Sequence, residues 1–465
     1  MSVLQNHAED SCLKNQQDKS NNISDDDKKE QPPAALQEKG PTGTDQSTDE
    51  EGEVFPEGGL TAWLVVFGAF CALVSVYGLI NTSAVFESYF KEHQLKDHSH
   101  SKIGWIFSLY LFLVFLVGVQ GGPIFDRYGP RLLVAVGCVL AVASLMFLSV
   151  SKTYTQIILS YSVVGGIGGA LLNAPAFGAV AHFFNVRRGV ATGIAATAGS
   201  VGGVVFPLLL RHLLGPNGVG FAWSCRILGF ILLGLSVPAN LFIKSRPSIQ
   251  MSKSDQSQAV TLWPDLTVFR DHRFAASCLG YFFMEWGLFV PLTYIISYGV
   301  AYGIPASQSS LFLVYLNAGS ALGRFLPGFV ADKVGRFNVI IITIALCVIT
   351  VLGLWLPCNG SQSVLTAFSV LFGIVSGSNL SLLPVCLGQF CDARDYGRYF
   401  ATATMAASFG TLTSVPIAGA LIEVGDKYVG WMSLILFAGC SYAVALISYV
   451  SARVMSVGWQ PSTKF

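Results

Sequence analysis

The feature that most constrains this chain is a series of twelve apolar runs, each close to the length that crosses a membrane. A hydrocarbon core about 30 Å thick takes roughly 20 helical residues. The runs cover residues 60–82, 103–122, 132–150, 156–181, 190–211, 222–243, 275–299, 309–331, 338–357, 363–387, 399–422 and 430–452. Only 12% of the chain is charged, against about a quarter of a soluble domain. We therefore predict an all-α membrane protein with twelve transmembrane helices, and not a soluble protein with a large core.

The polar stretches around these runs divide the chain. Residues 1–54 hold thirteen Asp or Glu against five Lys, and so acidic a segment with so few apolar residues cannot fold alone. We predict that it is a disordered cytoplasmic tail. The long polar stretch 244–273 separates six runs from six. We expect it to be a cytoplasmic loop between an N-terminal bundle, 55–243, and a C-terminal bundle, 274–453, with 454–465 as a cytoplasmic C-terminal tail.

The distribution of basic residues predicts the orientation. Lys and Arg are concentrated in the loops that lie inside if the N-terminus is cytoplasmic, for example at Arg187 and Arg188, and they are sparser in the other loops. We therefore predict that both termini are cytoplasmic. The plasma membrane is the expected location, and the vacuole or another internal membrane is the alternative.

A short motif recurs after the second helix of each half. Its glycines, aspartate and basic residue have the same spacing in both copies, which lie 206 residues apart: Gly122, Asp126, Arg127 and Gly129, then Gly328, Asp332, Lys333 and Gly335. Two copies in register indicate parallel six-helix repeats. We expect the glycines to permit close helix approach and a tight turn, and the two aspartates to act at the inner gate and not on the solute.

This repeated motif in a six-plus-six array resembles the major facilitator superfamily, over residues 57–453. Three stretches resemble its monocarboxylate porter family more narrowly: PEGGLTAWLVVFGAF at 56–70, FFNVRRGVATGIAATAGSVGG at 183–203 and SALGRFLPGFVAD at 320–332. The polar tail and the short loop between the halves look most like the fungal branch of that family. The resemblance implies a major facilitator fold with a central cavity, and solutes that range over carboxylates, vitamins and secondary metabolites.

The chain also departs from the proton-coupled carriers of that family. Their lysine near the outer end of helix one corresponds to Asn81, and their aspartate one turn before the arginine of helix eight corresponds to Ser320. Only the arginine, Arg324, carries over. The resemblance therefore extends to the fold and the cavity, and not to the lactate-type coupling mechanism.

Two ionisable side chains, Arg324 and Glu285, lie deep within the predicted spans. A charge at mid-membrane costs about 3 kcal/mol or more, so it usually faces a cavity or a partner. We interpret Arg324 as a cation in the translocation path that meets an anionic group, with snorkelling to the headgroups as the alternative. We interpret Glu285 as a proton carrier, with a structural hydrogen-bonding role as the alternative. The two could also pair, because they lie on consecutive helices at similar depth.

The weaker candidates are uncharged. Asn81, Ser320 and Asn173 are polar residues within spans, and each could line the pore or join neighbouring helices. Two tracts of small residues, 165–179 and 193–203, should let the fourth and fifth helices approach closely and slide. Such sliding suits rocking between two access states.

The predicted function is secondary active transport of a small organic solute by alternating access, and we expect this transport to be proton-linked. The solute is expected to be a monocarboxylate, a related organic anion or a fungal secondary metabolite, moved by uptake or by efflux. A sensor in a carrier fold is the alternative.

The chain lacks a nucleotide-binding loop and a cluster with catalytic or metal-ligand spacing, so we expect no enzyme activity, no nucleotide and no cofactor beyond a proton. A net charge of +1 gives no reason to expect nucleic acid. The expected partners are the solute and the lipid bilayer, and we expect the protein to function as a monomer.

Overall fold

Helices make up nearly all of the structure, a computed structural model that describes residues 47–48, 54–55, 58–184, 187–215, 217–245, 266–391 and 396–460. Within the predicted tail the described residues form only part of a short antiparallel strand pair. The rest of that tail, most of the predicted loop between the bundles and residues 461–465 lie outside the described residues. The disorder and the boundaries predicted for those segments therefore stay predictions.

The elements are numbered here in chain order. They are β1 Ser47–Thr48, β2 Val54–Phe55, α1 Gly59–Asn81, α2 Ser83–Glu92, α3 His100–Tyr128, α4 Pro130–Val150, α5 Tyr154–Phe183, α6 Arg188–Leu213, α7 Gly220–Phe242, α8 His272–Ala301, α9 Ala306–Val334, α10 Arg336–Cys358, α11 Gln362–Leu387, α12 Tyr396–Ile422 and α13 Lys427–Val457. Two of these helices contain π-helical turns, α5 at Ile158–Val164 and α10 at Val351–Trp355, and α10 ends in a 3-10 turn at Leu356–Cys358. A 3-10 helix at Leu266–Arg270 precedes α8.

The long helices match the predicted spans. Among the described residues, eleven helical segments are long and apolar enough to cross a membrane, and α1 with α2 counts as one of them. The remaining predicted span corresponds to α9, which has 29 residues and carries several polar side chains, Arg324 among them. Long helices thus lie at all twelve predicted positions, and the prediction of an all-α membrane fold is confirmed.

The C-terminal bundle begins at a capped helix. Asp271 precedes α8 and accepts a hydrogen bond from the backbone N–H of Arg273 at 2.9 Å, and Nη2 of Arg273 lies 2.9 Å from Oδ2 of Asp271. The hydrogen bonds from Arg273 lower the pKa of Asp271 below its ordinary value. An aspartate at this position satisfies a free N–H of the first turn. The cap explains why α8 starts at His272, slightly before the predicted span.

The two motif copies adopt the same backbone turn. Gly129 ends α3 with φ 77° and Gly335 ends α9 with φ 106°. Each glycine N–H donates to the carbonyl four residues earlier, at 2.8 Å for Gly129 and 2.9 Å for Gly335. This shared geometry supports the parallel repeats and the predicted tight turn. An added Cβ at Gly122 would lie within 4 Å of no described neighbour, so close helix approach is not observed there.

The gate role of the motif depends on side chains that lie outside the described ones. These side chains are those of Asp126, Arg127, Asp332 and Lys333. The same holds for the position of Gly328 relative to its neighbours. The inner-gate role therefore stays a prediction.

The turn geometry gives a direct stability test. We expect Gly129→Ala and Gly335→Ala each to lower the free energy of unfolding by about 1–3 kcal/mol, because a side chain at these backbone angles is strained. Thermal unfolding of the detergent-purified protein measures the loss. Gly122→Ala is the matched control, since it lies within a helix and has free space for a methyl group. A loss as large in the control would mean that the strained turn is not the cause.

Helix packing joins the two bundles along two seams. In the first seam α6 of the N-terminal bundle packs against α9, and in the second α3 packs against α12. α6 also packs closely against α1, where an added Cβ at Gly202 would lie 2.7 Å from the Cα of Gly78. α5 packs mainly on α3 and α4 and has little contact with α6. The small-residue tracts lie on α5 and α6, which are the fourth and fifth predicted spans. They thus bring each of these two helices closer to other helices than to each other.

Candidate translocation site

One end of the interface between the bundles, here called the α2 end, is held closed by polar contacts. Glu87 on α2 is fully buried. Its Oε2 accepts a hydrogen bond from the Oγ of Ser297 on α8, and its Oε1 lies 2.7 Å from Nδ1 of His100 at the start of α3. A buried carboxylate from one bundle is therefore bound to a side chain of the other.

A second carboxylate crosses the same interface in the opposite direction. Oε1 of Glu423, at the end of α12, accepts a hydrogen bond from the backbone N–H of His100 at 2.9 Å. His100 is the first residue of α3, and a negative charge is favourable at a helix N-terminus. The C-terminal bundle thus supplies a cap to a helix of the N-terminal bundle.

A tyrosine fills the space beneath these contacts. The hydroxyl of Tyr294 on α8 donates to the carbonyl of Val415 at 2.9 Å and lies 3.4 Å from the carbonyl of His100. It fits because two glycines flank it: an added Cβ would lie 2.9 Å from the hydroxyl at Gly104 and 2.6 Å from it at Gly419. The α2 end is closed by steric fit as well as by hydrogen bonds.

A small cavity lies between the bundles, deeper than this closed end. Its volume is about 30 Å³, which is room for about one or two water molecules. It is lined by residues of α1, α3, α8, α9 and α11: Tyr77, Ile80, Asn81, Phe115, Leu288, Phe289, Leu292, Leu316, Asn317, Ser320, Arg324, Ser376 and Leu380. The lining is apolar except for one cation, two amides, two serines and a phenol.

Arg324 is the charged member of this lining. It is 7% exposed, its Nη1 donates to the carbonyl of Ala196 on α6, and its Nε has no hydrogen-bond partner among the described groups. An added Cβ at Gly199 would lie 2.6 Å from Nη1, so the absence of a side chain there makes room for the guanidinium. No carboxylate of the described residues pairs with Arg324. The side chain faces the cavity with donor capacity to spare.

The amides of the lining are also placed by α6. Asn81 donates to the carbonyls of Tyr77 at 2.7 Å and Gly199 at 3.2 Å. Asn317 lies against Gly203, where an added Cβ would be 2.2 Å from its Oδ1. Gly199 and Gly203 belong to the small-residue tract 193–203 of α6. They therefore accommodate polar side chains of α9 that point at the interface.

Comparison with known proteins identifies the architecture. The sequence model of the Major Facilitator Superfamily matches residues 65–392 and 301–462. The chain belongs to this superfamily. A crystal structure of the nucleoside transporter NupG superposes on it with a TM-score of 0.67 at 12% identity, covering 84% of this chain and 99% of that one. This likeness supports the fold.

Relatives from fungi are closer in sequence. The chain is 39% identical to the MFS-type transporter opdF of Penicillium oxalicum, over 88% of this chain and 94% of that protein. It is 36% identical to the riboflavin transporter MCH5 of Saccharomyces cerevisiae, over 90% of this chain and 82% of that protein. It is 35% identical to the Fujikurins efflux protein of Gibberella fujikuroi, over 86% of this chain and 84% of that protein. This superfamily member is accordingly a solute transporter and not an enzyme.

The predicted site residues of this transporter divide into two groups. Arg324, Asn81 and Ser320 come together at the cavity. Glu285 and Asn173 are not part of its lining. Glu285 is fully buried within the C-terminal bundle, and neither of its oxygens has a hydrogen-bond partner among the described residues. The ion pair considered between Glu285 and Arg324 is therefore not formed.

Two charged residues at the α2 end of the transporter were missed in the sequence. Glu87 lies just beyond the first predicted run, 60–82, and α2 continues that span and buries it. Its neighbours Phe86 and Phe90, both fully buried, are the signal that this stretch is amphipathic. Arg226 on α7 donates from Nε to Ser149 Oγ at 3.3 Å and lies 5.1 Å from the ring of Trp223. It is engaged there and does not line the cavity.

Proposed function

We propose that this transporter moves a small organic anion with an apolar body, and that Arg324 binds the anionic group of the solute. The observation that carries the proposal is an arginine, Arg324, that lines a cavity between the two bundles and has no ion-pair partner within the described part of the chain. A buried charge without a counter-charge is costly in a membrane interior. A solute carboxylate offsets that cost and fits the planar guanidinium in a two-point contact.

The other lining residues suit the rest of such a solute. Most are leucine, isoleucine or an aromatic residue, and they offer an apolar surface. Asn81, Asn317 and Ser320 add a few polar contacts that orient a carbonyl or hydroxyl group. A fungal secondary metabolite or a carboxylate with a hydrophobic body has this chemistry.

Direction and coupling are part of the same proposal. Relatives named as efflux proteins for fujikurins and for aspyridones support export, and a proton gradient is the proposed driving force. Membership of the monocarboxylate porter family is part of the proposal, and the sequence of residues 320–332 on α9, which holds Arg324, supports it. With both termini cytoplasmic, the α2 end is the outer end, and the plasma membrane is the proposed location. Relatives that are named transporters favour transport over the sensor alternative.

The test compares matched solutes in purified proteoliposomes. We expect organic acids with apolar bodies to be transported at least ten times faster than their neutral amide analogues, a ratio that corresponds to about 1.4 kcal/mol. The panel includes riboflavin, and each solute is measured in both directions, with and without a pH gradient. Equal rates for an acid and its amide would overturn the anion assignment. If none of the solutes is transported, the assignment of the cavity as the transport site is wrong.

A further inference from the structure

In the closed arrangement of the bundles, the guanidinium of Arg324 is bound by the backbone of the opposite bundle. Its Nη1 donates to the carbonyl of Ala196 on α6, and α6 and α9 form one of the two seams between the bundles. A helical carbonyl oxygen has a second lone pair beside the one used within its own helix. Ala196 can therefore accept this hydrogen bond without loss to α6.

This contact exists because residue 199 has no side chain. An added Cβ at Gly199 would lie 2.6 Å from Nη1 and 3.1 Å from Nη2 of Arg324, so even a methyl group would displace the guanidinium from Ala196. The same turn of α6 is held from its other side, because Asn81 of α1 donates to the carbonyl of Gly199 at 3.2 Å. The contact thus joins a fixed turn of the N-terminal bundle to a side chain of the C-terminal bundle.

A single carbonyl is a weaker partner for this guanidinium than a carboxylate would be. The carbonyl of Ala196 is neutral and accepts from Nη1, while Nε of Arg324 has no hydrogen-bond partner among the described groups. A carboxylate carries a full charge and can accept from two donors of the planar guanidinium at once. The anionic group of a solute can therefore displace the Ala196 carbonyl, and the carbonyl can return to Arg324 after the solute leaves.

We propose that the carbonyl of Ala196 substitutes for the anionic group of the solute and lets the bundles close around Arg324 when no solute is bound. The inference rests on the proposed binding of an organic anion at Arg324, and it names the residues that let the carrier return unloaded. Closing the cavity around a charge without a partner is costly, and a carrier with that cost works only by exchanging one solute for another. The contact at Ala196 lowers the cost, so the protein carries out net transport.

A comparison of net transport with exchange isolates the unloaded return. Proteoliposomes are loaded with radiolabelled phenylpyruvate, an organic acid with an apolar body that is ionised at neutral pH. Efflux is measured into buffer without solute, which requires an unloaded return, and into buffer with unlabelled phenylpyruvate, which does not. We expect the two wild-type rates to be similar. In Gly199→Ala net efflux should fall at least tenfold relative to exchange, which corresponds to about 1.4 kcal/mol in the barrier to return.

Two other glycines of α6 provide the controls. Gly193→Ala adds a methyl group that meets no described neighbour within 4 Å. Gly203→Ala adds one 2.2 Å from Oδ1 of Asn317 and so disturbs the same seam at a different side chain. Both variants should keep the wild-type ratio of net efflux to exchange. A fall in Gly203→Ala as large as that in Gly199→Ala would show that any disturbance of the seam slows the return, and it overturns the proposal.

A second measurement needs no transported solute. The cavity of about 30 Å³ cannot admit a maleimide, so labelling of a cysteine at position 80 in its wall requires the bundles to part. The purified protein is labelled in solute-free buffer, and the modification is measured at that position by peptide mass spectrometry. Gly199→Ala should be labelled faster than the parent, because the closed arrangement has lost the contact at Ala196. Gly193→Ala should be labelled at the parent rate.

The outcomes distinguish this inference from the proposed function. Unchanged labelling of Gly199→Ala, or an unchanged ratio of net efflux to exchange, overturns the substitute role of Ala196. Equal loss of net efflux and exchange in that variant assigns Gly199 to solute binding and also overturns it. A wild-type protein that exchanges phenylpyruvate but does not release it into solute-free buffer does so as well. If the wild-type protein moves no organic anion, the proposed function is wrong, and the labelling still decides whether the contact holds the unloaded bundles together.

Discussion

Arg324→Leu should reduce transport of an anionic solute by at least about 100-fold while the protein still folds and inserts. Removing a buried charge lowers the cost of placing α9 in lipid, so expression and thermal stability should not fall. The bound anion loses its charge-assisted hydrogen bonds, which contribute about 1.5–3 kcal/mol. It is then left as an unpaired charge in an apolar cavity, which adds to the loss. Counterflow of labelled solute into proteoliposomes measures the effect.

Two further arginine variants sharpen this result. Arg324→Lys keeps the charge but loses the planar two-point contact, and we expect an intermediate loss of about tenfold. Arg226→Leu removes a different arginine, one that is engaged by Ser149 and Trp223 outside the cavity. Its anion flux should stay within about twofold of wild type. Normal anion flux in Arg324→Leu would show that the arginine is structural.

Gly419→Val should open the α2 end of the transporter. An added Cβ at Gly419 would lie 2.6 Å from the backbone nitrogen of Ser101, so α12 and α3 must separate. That separation breaks the hydrogen bond from the backbone N–H of His100 to Glu423 and displaces the side chain of Tyr294. We expect the population of molecules open at this end to rise at least tenfold, which corresponds to about 1.4 kcal/mol.

Accessibility of the cavity from one side measures this opening. A cysteine at position 80, in the cavity wall, is labelled with a membrane-impermeant maleimide added outside cells, in a background where the exposed Cys440 is serine. Gly234→Val on α7 is the control, because an added Cβ there meets no described neighbour within 4 Å. Faster labelling in the control, or none in Gly419→Val, would contradict the closed-end role or the predicted orientation.

Apolar length and a repeated turn were readable from the sequence because each depends on local properties. The twelve runs differ from the observed helices mainly at their ends. One example is α3, which continues six residues past its predicted end at residue 122 to Tyr128, because the motif turn at Gly129 ends it. Arg324 was identified because a lone charge in a long apolar run is conspicuous without any structure.

The direction in which a side chain faces was not readable. Glu285 and Arg324 lie at similar depths on consecutive helices, yet only Arg324 faces the cavity, because facing depends on the rotation of each helix against its neighbours. The burial of Glu87 was not readable either, because it depends on contacts with α3 and α8 of the folded molecule. The small-residue tract at 193–203 predicted close approach and sliding of helices, whereas the structure shows that Gly199 and Gly203 also make room for Arg324 and Asn317.

The size of the cavity has a consequence for how solute affinity is set. A space of about 30 Å³ admits no organic solute, so binding selects molecules in which the bundles have already moved apart. The apparent dissociation constant is then the intrinsic one divided by the fraction of open molecules. Residues that never touch the solute, such as Glu87 and Glu423, therefore adjust the concentration at which the transporter works. Natural variation at the α2 end can tune a carrier to scarce or abundant solute without changing which solute it recognises.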